Sequence, residues 1–109
     1  MELDPVAGHE QAGVRPCLAV SDPDVVNHLR FPLIAVVPLS GTLGLGALYP
    51  VINPGPSGLR QPSTALVDQV RSLDKRRVRR LFGAGTATEL AAVDHGLRLF
   101  LGLAGSGTA

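Results

Sequence analysis

The apolar residues of this 109-residue chain occur first in short runs and then in a helical pattern. Up to residue 60, prolines and glycines interrupt the sequence roughly every ten residues, and the runs between them are rich in valine, leucine and isoleucine. Such runs are typical of β-strands. The pattern predicts strands at 15–20, 33–39, 47–53 and 64–71.

The period of the apolar positions changes after residue 85. Thr86 and Glu89 have the spacing of a capping box, and apolar residues then recur every three or four positions at Leu90, Val93, Leu97, Phe100 and Leu101. This spacing predicts an amphipathic helix. Glycine costs about 1 kcal/mol relative to alanine inside a helix, so Gly96 makes this helix dependent on packing against the sheet.

The remaining local signals complete a single β-rich unit. The run at 33–39 does not alternate, which is typical of a strand covered on both faces or lying at a dimer interface. Residues 40–46 predict a mobile hairpin loop, and short helical turns are expected near Asp22 and Asp74. We predict the α+β class, mainly β, with one domain at 1–103 and a frayed tail at 104–109.

Composition narrows the class of protein. Apolar residues make up 45% of the chain and charged residues 17%, which favours an oligomer interface. The longest apolar runs are shorter than the roughly 20 residues of a membrane-spanning helix, and the first ten residues lack the pattern of a secretory signal. We therefore expect a cytoplasmic protein in which Cys17, the single cysteine, is a buried core residue.

Charge and histidine spacing add two further expectations. The net charge is +1, yet six of the ten basic residues lie in "RSLDKRRVRR" at 71–80. This run is either a solvated face or a surface that attracts an anionic partner. His9, Glu10, His28 and His95 are possible metal ligands, but no two histidines have ligand-like spacing, so no metal site is expected.

Several polar residues lie on predicted loops and strand ends, which a small barrel can bring together. Each also has a simple structural explanation, such as surface pairing for Arg15, a turn for Ser40 and an ion pair between Asp68 and Arg71. The set consists of His9, Glu10, Gln11, Arg15, Ser40, Thr42, Asp68, Gln69 and Arg71.

Four motifs carry a resemblance to a known family. They are "DPVAGHEQAGVRPCLAVS" at 4–21, "PLIAVVPLSGT" at 32–42, "PSTALVDQVRSLDKRRV" at 62–78 and the final "LRLFLGL". In this order they resemble the PemK/MazF family of toxin endoribonucleases. The resemblance implies an SH3-like barrel of the CcdB/MazF type, a homodimer, a cognate antitoxin, and cleavage of single-stranded RNA, chiefly mRNA, without metal or cofactor.

The resemblance also assigns roles to residues. Arg15 matches the catalytic arginine, and Ser40 stands where the family usually has threonine and retains a hydroxyl donor. The implied RNA-binding residues are His9, Glu10, Gln11, Thr42, Asp68, Gln69 and Arg71. In this chemistry the RNA 2′-hydroxyl attacks the adjacent phosphate, so the protein supplies proton transfer and charge stabilisation.

Two departures from the family pattern keep a second hypothesis open. Some members have a catalytic arginine where this chain has Leu66, and the first strand of the barrel is expected to be short or missing. The alternative is a non-catalytic or decayed relative that binds an antitoxin or another protein target. In either case the basic run at 71–80 is available to steer RNA or to pair with an acidic antitoxin tail.

Overall fold

The computed structural model describes residues 5–9 and 15–103 of the chain. The described residues form seven strands and two helices. The strands are β1 (Pro5–His9), β2 (Arg15–Ala19), β3 (Leu33–Ser40), β4 (Val51–Ile52), β5 (Ser63–Ala65), β6 (Arg71–Asp74) and β7 (Val78–Ala84), and the helices are α1 (Pro23–Asn27) and α2 (Ala87–Leu101). Two 3₁₀ turns, Val67–Gln69 and Lys75–Arg77, flank β6.

The strands form one antiparallel sheet in the order β4-β5-β3-β2-β1-β7. The long strand β3 is central: one edge pairs with β2, and the other is shared by β5 at its end and β6 at its beginning. The sheet curls into a half-barrel with α2 packed against it. The predicted class, mainly β with a C-terminal helix, is confirmed.

Both faces of β3 are covered, as the non-alternating run predicts. Val37 and Leu39 contribute to a cluster that also contains Leu18 of β2 and Leu90 and Val93 of α2. Alternate residues point to the opposite face, where Ile34 and Val36 pack with Cys17, Ala19 and Leu73. The side chains of α1 cover part of this second cluster.

Helix α2 begins and ends as its sequence indicates. The Thr86 hydroxyl accepts a hydrogen bond from the Glu89 N–H, and the Glu89 carboxylate accepts one from the Thr86 N–H, so the predicted capping box is confirmed. Gly102, with φ of 76°, ends the helix in the left-handed conformation. The apolar stripe is buried at Leu90 and Val93, whereas Phe100 and Leu101 remain about half exposed.

Two predicted strands were wrong in extent. In 47–53 only Val51 and Ile52 are extended, because Tyr49 closes a turn by donating to the Gly46 carbonyl and Pro50 has no N–H for a ladder. The run 64–71 is divided, because the chain must move from the end of β3 to its beginning. The turn Val67–Gln69 makes this step.

The predicted short turns are confirmed, whereas the predicted hairpin loop is not. The short helical turns after Asp22 and Asp74 are confirmed as α1 and the turn Lys75–Arg77, each capped by its aspartate. Residues 40–46 do not form a hairpin loop, since β5 separates β3 from β4. Strand β7 was not predicted from the sequence.

The first described strand, Pro5–His9, pairs with both β2 and β7. The expectation that the first strand of the family's barrel is short or missing stays a prediction. The limits of the domain stay a prediction, and the tail at 104–109 lies outside the described residues. Neither described helix is long and apolar enough to cross a membrane.

Candidate functional site

Arg15 and Ser40 lie at neighbouring ends of two paired strands. The pairing of β2 with β3 places Cys17 opposite Pro38, and Arg15 and Ser40 each lie two residues beyond that pair. Because side chains alternate along a strand, both belong to the same face as Cys17 and Pro38. Arg15 is exposed and Ser40 is partly exposed, so a guanidinium and a hydroxyl meet solvent at one corner of the sheet.

Local backbone geometry holds Ser40 in place. Its Oγ accepts a hydrogen bond of 3.1 Å from the Thr42 N–H, which uses a lone pair and leaves the hydroxyl hydrogen for another acceptor. Across the sheet Ser40 faces Thr64 of β5, a fully buried residue. Ser40 is therefore a fixed donor at the strand end, and Thr42 is exposed beside it.

The early polar residues are only partly within the described chain. His9 is the last residue of β1, and its backbone lies directly opposite Arg15. Glu10 and Gln11 lie outside the described residues. The backbone thus brings His9, Arg15 and Ser40 to the same end of three successive strands.

Asp68 is placed differently from the other predicted RNA-binding residues. The Tyr49 hydroxyl donates a hydrogen bond of 2.6 Å to Asp68 Oδ2, and Asp68 Oδ1 is buried without a hydrogen-bond partner. This hydrogen bond is the main cause that raises the pKa of Tyr49, with desolvation and the Asp68 charge adding to it. Gln69, by contrast, is exposed.

Tyr49, which was not among the predicted site residues, anchors the loop between β3 and β4. The Gly44 N–H donates to Thr64 Oγ1 at 2.9 Å, and a β-carbon at Gly44 would lie 3.2 Å from the Tyr49 Cβ. The loop that follows Ser40 is therefore held by Thr64 on one side and by the Tyr49–Asp68 pair on the other. The available signal was the single tyrosine of the chain, next to a glycine-rich segment.

Arg71 lies on the same face as Ser40 but further along the sheet. It pairs with Val36, four residues before Ser40, which corresponds to roughly 13 Å along the strand. Its charge lowers the pKa of the Cys17 thiol, but the larger effect of burial raises that pKa to about 11. Cys17 is therefore a protonated core residue, and Arg71 is an exposed cation near the middle of the face.

Part of the basic run has internal partners. The Lys75 ammonium donates to the Val25 and His28 carbonyls and holds the end of α1. Arg76 forms an ion pair of 2.9 Å with Asp74, and this contact is the main cause that lowers the pKa of Asp74 to about 2. The run is thus partly structural, while Arg77 is exposed.

The histidines considered as possible metal ligands do not lie in a cluster of such residues in the part of the chain that is described. His28 follows α1, with its Nδ1 2.7 Å from the Asp24 carbonyl oxygen, and His95 is exposed on α2. Among the residues described, no three histidine, cysteine, aspartate or glutamate side chains come together.

Comparisons with known proteins identify the family of this chain. The family model of the PemK-like, MazF-like toxins of type II toxin-antitoxin systems matches residues 1–101. The endoribonuclease MazF9 of Mycobacterium tuberculosis is 34% identical over 110 residues, covering 94% of this chain and 91% of the relative.

Solved structures share the fold. The M. tuberculosis toxin MazF-mt6 superposes with a TM-score of 0.79 at 22% identity, covering 91% of this chain and 97% of that one. An endoribonuclease from a mycobacterial species, solved in complex with its cognate antitoxin, gives a TM-score of 0.77 at 21% identity, covering 91% and 92%. Since the family model spans nearly the whole chain, the chain belongs to the PemK-like, MazF-like family of type II toxin-antitoxin toxins.

Proposed function

We propose that this toxin cleaves single-stranded RNA, chiefly mRNA, at the corner formed by Arg15 and Ser40, and so arrests translation. The observation that carries the proposal is the placement of these two side chains at adjacent strand ends on one face of the sheet. A 34% identical relative is an endoribonuclease. The two side chains supply a cation and a hydrogen-bond donor. These groups stabilise the negative charge that builds up on the phosphate oxygens in the transition state.

The chemistry uses the substrate's own nucleophile. The RNA 2′-oxygen attacks the adjacent phosphorus and loses its proton, and the bond to the 5′-oxygen breaks as that oxygen gains a proton. The products are a 2′,3′-cyclic phosphate and a 5′-hydroxyl. The guanidinium of Arg15 holds the two non-bridging phosphate oxygens through its fixed pair of donors, and the Ser40 hydroxyl donates to one of these oxygens as its negative charge grows.

The remaining predicted residues surround this corner. His9, Glu10, Gln11 and Thr42 belong to the segments next to Arg15 and Ser40, and they contact the RNA around the scissile phosphate. Gln69 and Arg71 contact it further along the face, where an exposed amide suits base edges and an exposed cation suits phosphates. Asp68 acts indirectly, through Tyr49 and the loop that Tyr49 anchors.

The protein partners follow from the family. We propose a homodimer that is held inactive by a cognate antitoxin in the cytoplasm, since a structural relative has been solved in complex with its cognate antitoxin and the family consists of toxins of such systems. The exposed side chains of the basic run suit an acidic antitoxin segment. Sedimentation velocity of the purified toxin, which we expect to give a dimer, tests the assembly.

A second candidate function rests on Leu66. Two residues before Asp68, where some family members have a catalytic arginine, this chain has an aliphatic side chain. A toxin without cleavage would act by binding its antitoxin or another protein target. The following experiment separates the two functions.

Purified protein is incubated with a long single-stranded RNA in EDTA, and the new termini are identified by mass spectrometry. We expect 2′,3′-cyclic phosphate ends. Arg15→Ala and Ser40→Ala each lower the rate by about 10²–10³, the usual loss for one donor to a developing oxyanion. Ser40→Thr keeps the hydroxyl and retains cleavage, and Arg98→Ala, which removes an exposed cation on α2, is the matched control.

Cleavage that is unaffected by Arg15→Ala would show that the activity arises elsewhere, and products with 3′-hydroxyl and 5′-phosphate ends would exclude 2′-hydroxyl attack. If the wild-type protein cuts no RNA but binds its antitoxin, the second candidate function replaces the first.

A further inference from the structure

A cavity of about 490 Å³ lies beside the Arg15–Ser40 corner and is not used by the proposed chemistry. Pro16, Leu39 and Gly41 form one wall of the cavity, and each is the immediate chain neighbour of Arg15 or Ser40. Consecutive Cα atoms are about 3.8 Å apart, so the cavity begins within one residue of both side chains. Alternation places Pro16 and Leu39 on the opposite face of the sheet, so the corner and the cavity flank the same strand ends.

The lining of this cavity combines apolar walls with polar side chains, of which Ser63 is buried and Arg60 and Gln61 are exposed. Leu59 and Phe82 contribute apolar surface, while Arg60 and Gln61 are exposed polar residues at its rim. Together these two side chains can donate several hydrogen bonds and accept one through the Gln61 amide oxygen. Sequence-selective RNA recognition uses such sites, which take up an unstacked base and hydrogen-bond its edge.

Gln61 is held next to Ser40. A β-carbon at Gly41 would lie 2.9 Å from Gln61 Nε2, so the amide rests against the backbone directly after Ser40. The main-chain carbonyl of Gln61 accepts a hydrogen bond of 3.3 Å from the Ser63 hydroxyl. A larger residue at position 41 would displace the amide from this position.

The segment that carries Arg60 and Gln61 is fixed by the contacts of Ser57 and Gly58, the two residues that precede Leu59. Ser57 is fully buried, and its hydroxyl donates to the Asn53 carbonyl at 2.6 Å and accepts from the Leu59 N–H at 3.2 Å. Gly58 has φ of 77°, and a β-carbon there would lie 2.3 Å from the Phe82 carbonyl oxygen. The rim is therefore preformed, as is usual for a ligand pocket.

We propose that this cavity binds one nucleobase of the substrate strand, from a nucleotide next to the scissile phosphate, and that Gln61 and Arg60 select that base. The inference rests on the proposed RNA cleavage and names the residues that decide where it occurs. The cavity volume lies within the range of roughly 300–1,000 Å³ typical of ligand pockets. The shared strand ends let one RNA strand reach both the Arg15–Ser40 corner and the cavity.

The first test measures binding without cleavage. Short single-stranded RNAs with 2′-O-methyl sugars throughout, which lack the attacking hydroxyl, carry one 4-thiouridine at successive positions. They are photo-crosslinked to the full-length protein. We expect one labelled position to give crosslinks within 58–63 or at Phe82, as identified by mass spectrometry. Crosslinks that avoid these residues at every label position would overturn the inference.

The second test measures base preference. Cleavage of an RNA library by the wild-type protein gives the preference at each position around the cut. We expect Gln61→Ala to reduce it roughly tenfold at a single flanking position, the size of one base-edge contact. Gln61→Glu, which replaces the amide donor with an acceptor, shifts the preferred base there. Arg98→Ala is the matched control, and thermal melts confirm that each variant is folded.

The outcomes separate this inference from the proposed function. Arg15-dependent cleavage with an unchanged preference in both Gln61 variants would overturn the inference and leave the proposed function standing. Crosslinks at the cavity from a protein that cuts no RNA would support base binding and reject the cleavage chemistry.

Discussion

At the scale of single residues, burial decides what a polar side chain does. Asp68 and Gln69 are neighbours in sequence, yet Asp68 binds the Tyr49 hydroxyl with one oxygen and buries the other, while Gln69 is exposed. A buried carboxylate oxygen without a partner lowers stability. The hydrogen bond from the Tyr49 hydroxyl to Asp68 Oδ2 is therefore more important for stability. Asp68 therefore helps to fix the loop that Tyr49 anchors.

The alkaline titration of Tyr49 tests this pair. The hydrogen bond to Asp68 and the desolvation of the hydroxyl raise the pKa of Tyr49 above its usual value of about 10. The stabilisation is complete below pH 10 and is lost as the pH rises through the raised pKa. The chain has one tyrosine and no tryptophan, so phenolate absorbance reports Tyr49 alone. We expect Asp68→Asn to lower the midpoint, and an unchanged midpoint would contradict the contact.

The acid titration of Asp74 gives a second test. The hydrogen bonds from Arg76 hold the pKa of Asp74 at about 2, so their stabilisation is present above the usual carboxyl pKa of about 4 and is lost as the pH falls towards 2. We expect Arg76→Ala to return the pKa towards about 4, measured by NMR of the carboxyl carbon. Arg98→Ala is the control, and a pKa that stays near 2 in Arg76→Ala would disprove the pairing.

At the scale of elements, α2 is placed by a close contact that propensity opposes. Gly96 is buried where the helix crosses the segment before β4, and a β-carbon there would lie 2.7 Å from the Ala47 carbonyl oxygen and 3.3 Å from Val67 Cγ2. Backbone cannot yield as a flexible side chain does. The glycine therefore permits the approach of α2 to the sheet.

Gly96→Ala tests this approach. Alanine gains about 1 kcal/mol in helix propensity, but overpacking costs typically about 1–3 kcal/mol, and here the contact is with backbone. We expect a net destabilisation of up to roughly 2 kcal/mol in urea unfolding. Ala92→Gly at an exposed position of the same helix is the control and should cost about 1 kcal/mol. A stabilised Gly96→Ala protein would show that the contact relaxes freely.

At the scale of the whole molecule, β1 connects two parts of the sheet. Among the described strands, β7 pairs only with β1, which also pairs with β2. Without β1, the backbone N–H and C=O groups on the edges of β2 and β7 that face it would lose their hydrogen-bond partners. A domain of this size has little stability in reserve.

Deletion of residues 1–9 is therefore expected to abolish cooperative unfolding. Circular dichroism during a thermal melt, together with the dispersion of amide NMR signals, measures the loss. Deletion of residues 104–109, the predicted tail, serves as the control and should preserve the transition. If the protein without residues 1–9 melts cooperatively near the wild-type temperature, β1 is not required to complete the sheet.

Local patterns in the sequence were sufficient to predict the class of fold, the capping box and extent of α2, the core strands β2 and β3, and the family. These are local or short-range signals, because periodicity, caps and motifs depend on residues a few positions apart. Arg15 and Ser40 were proposed as catalytic residues from the motifs that contain them, each of which lies next to an apolar strand.

The tertiary structure decided what depends on distant residues. The division of 64–71 into β5 and β6 follows from the shared edge of β3, and the hydrogen-bond partner of Asp68 is Tyr49, nineteen positions away. The cavity beside the corner joins β2, β3, β7 and the segment at 58–63. No periodicity along the chain encodes such contacts, because they arise only when the curled sheet brings these segments together.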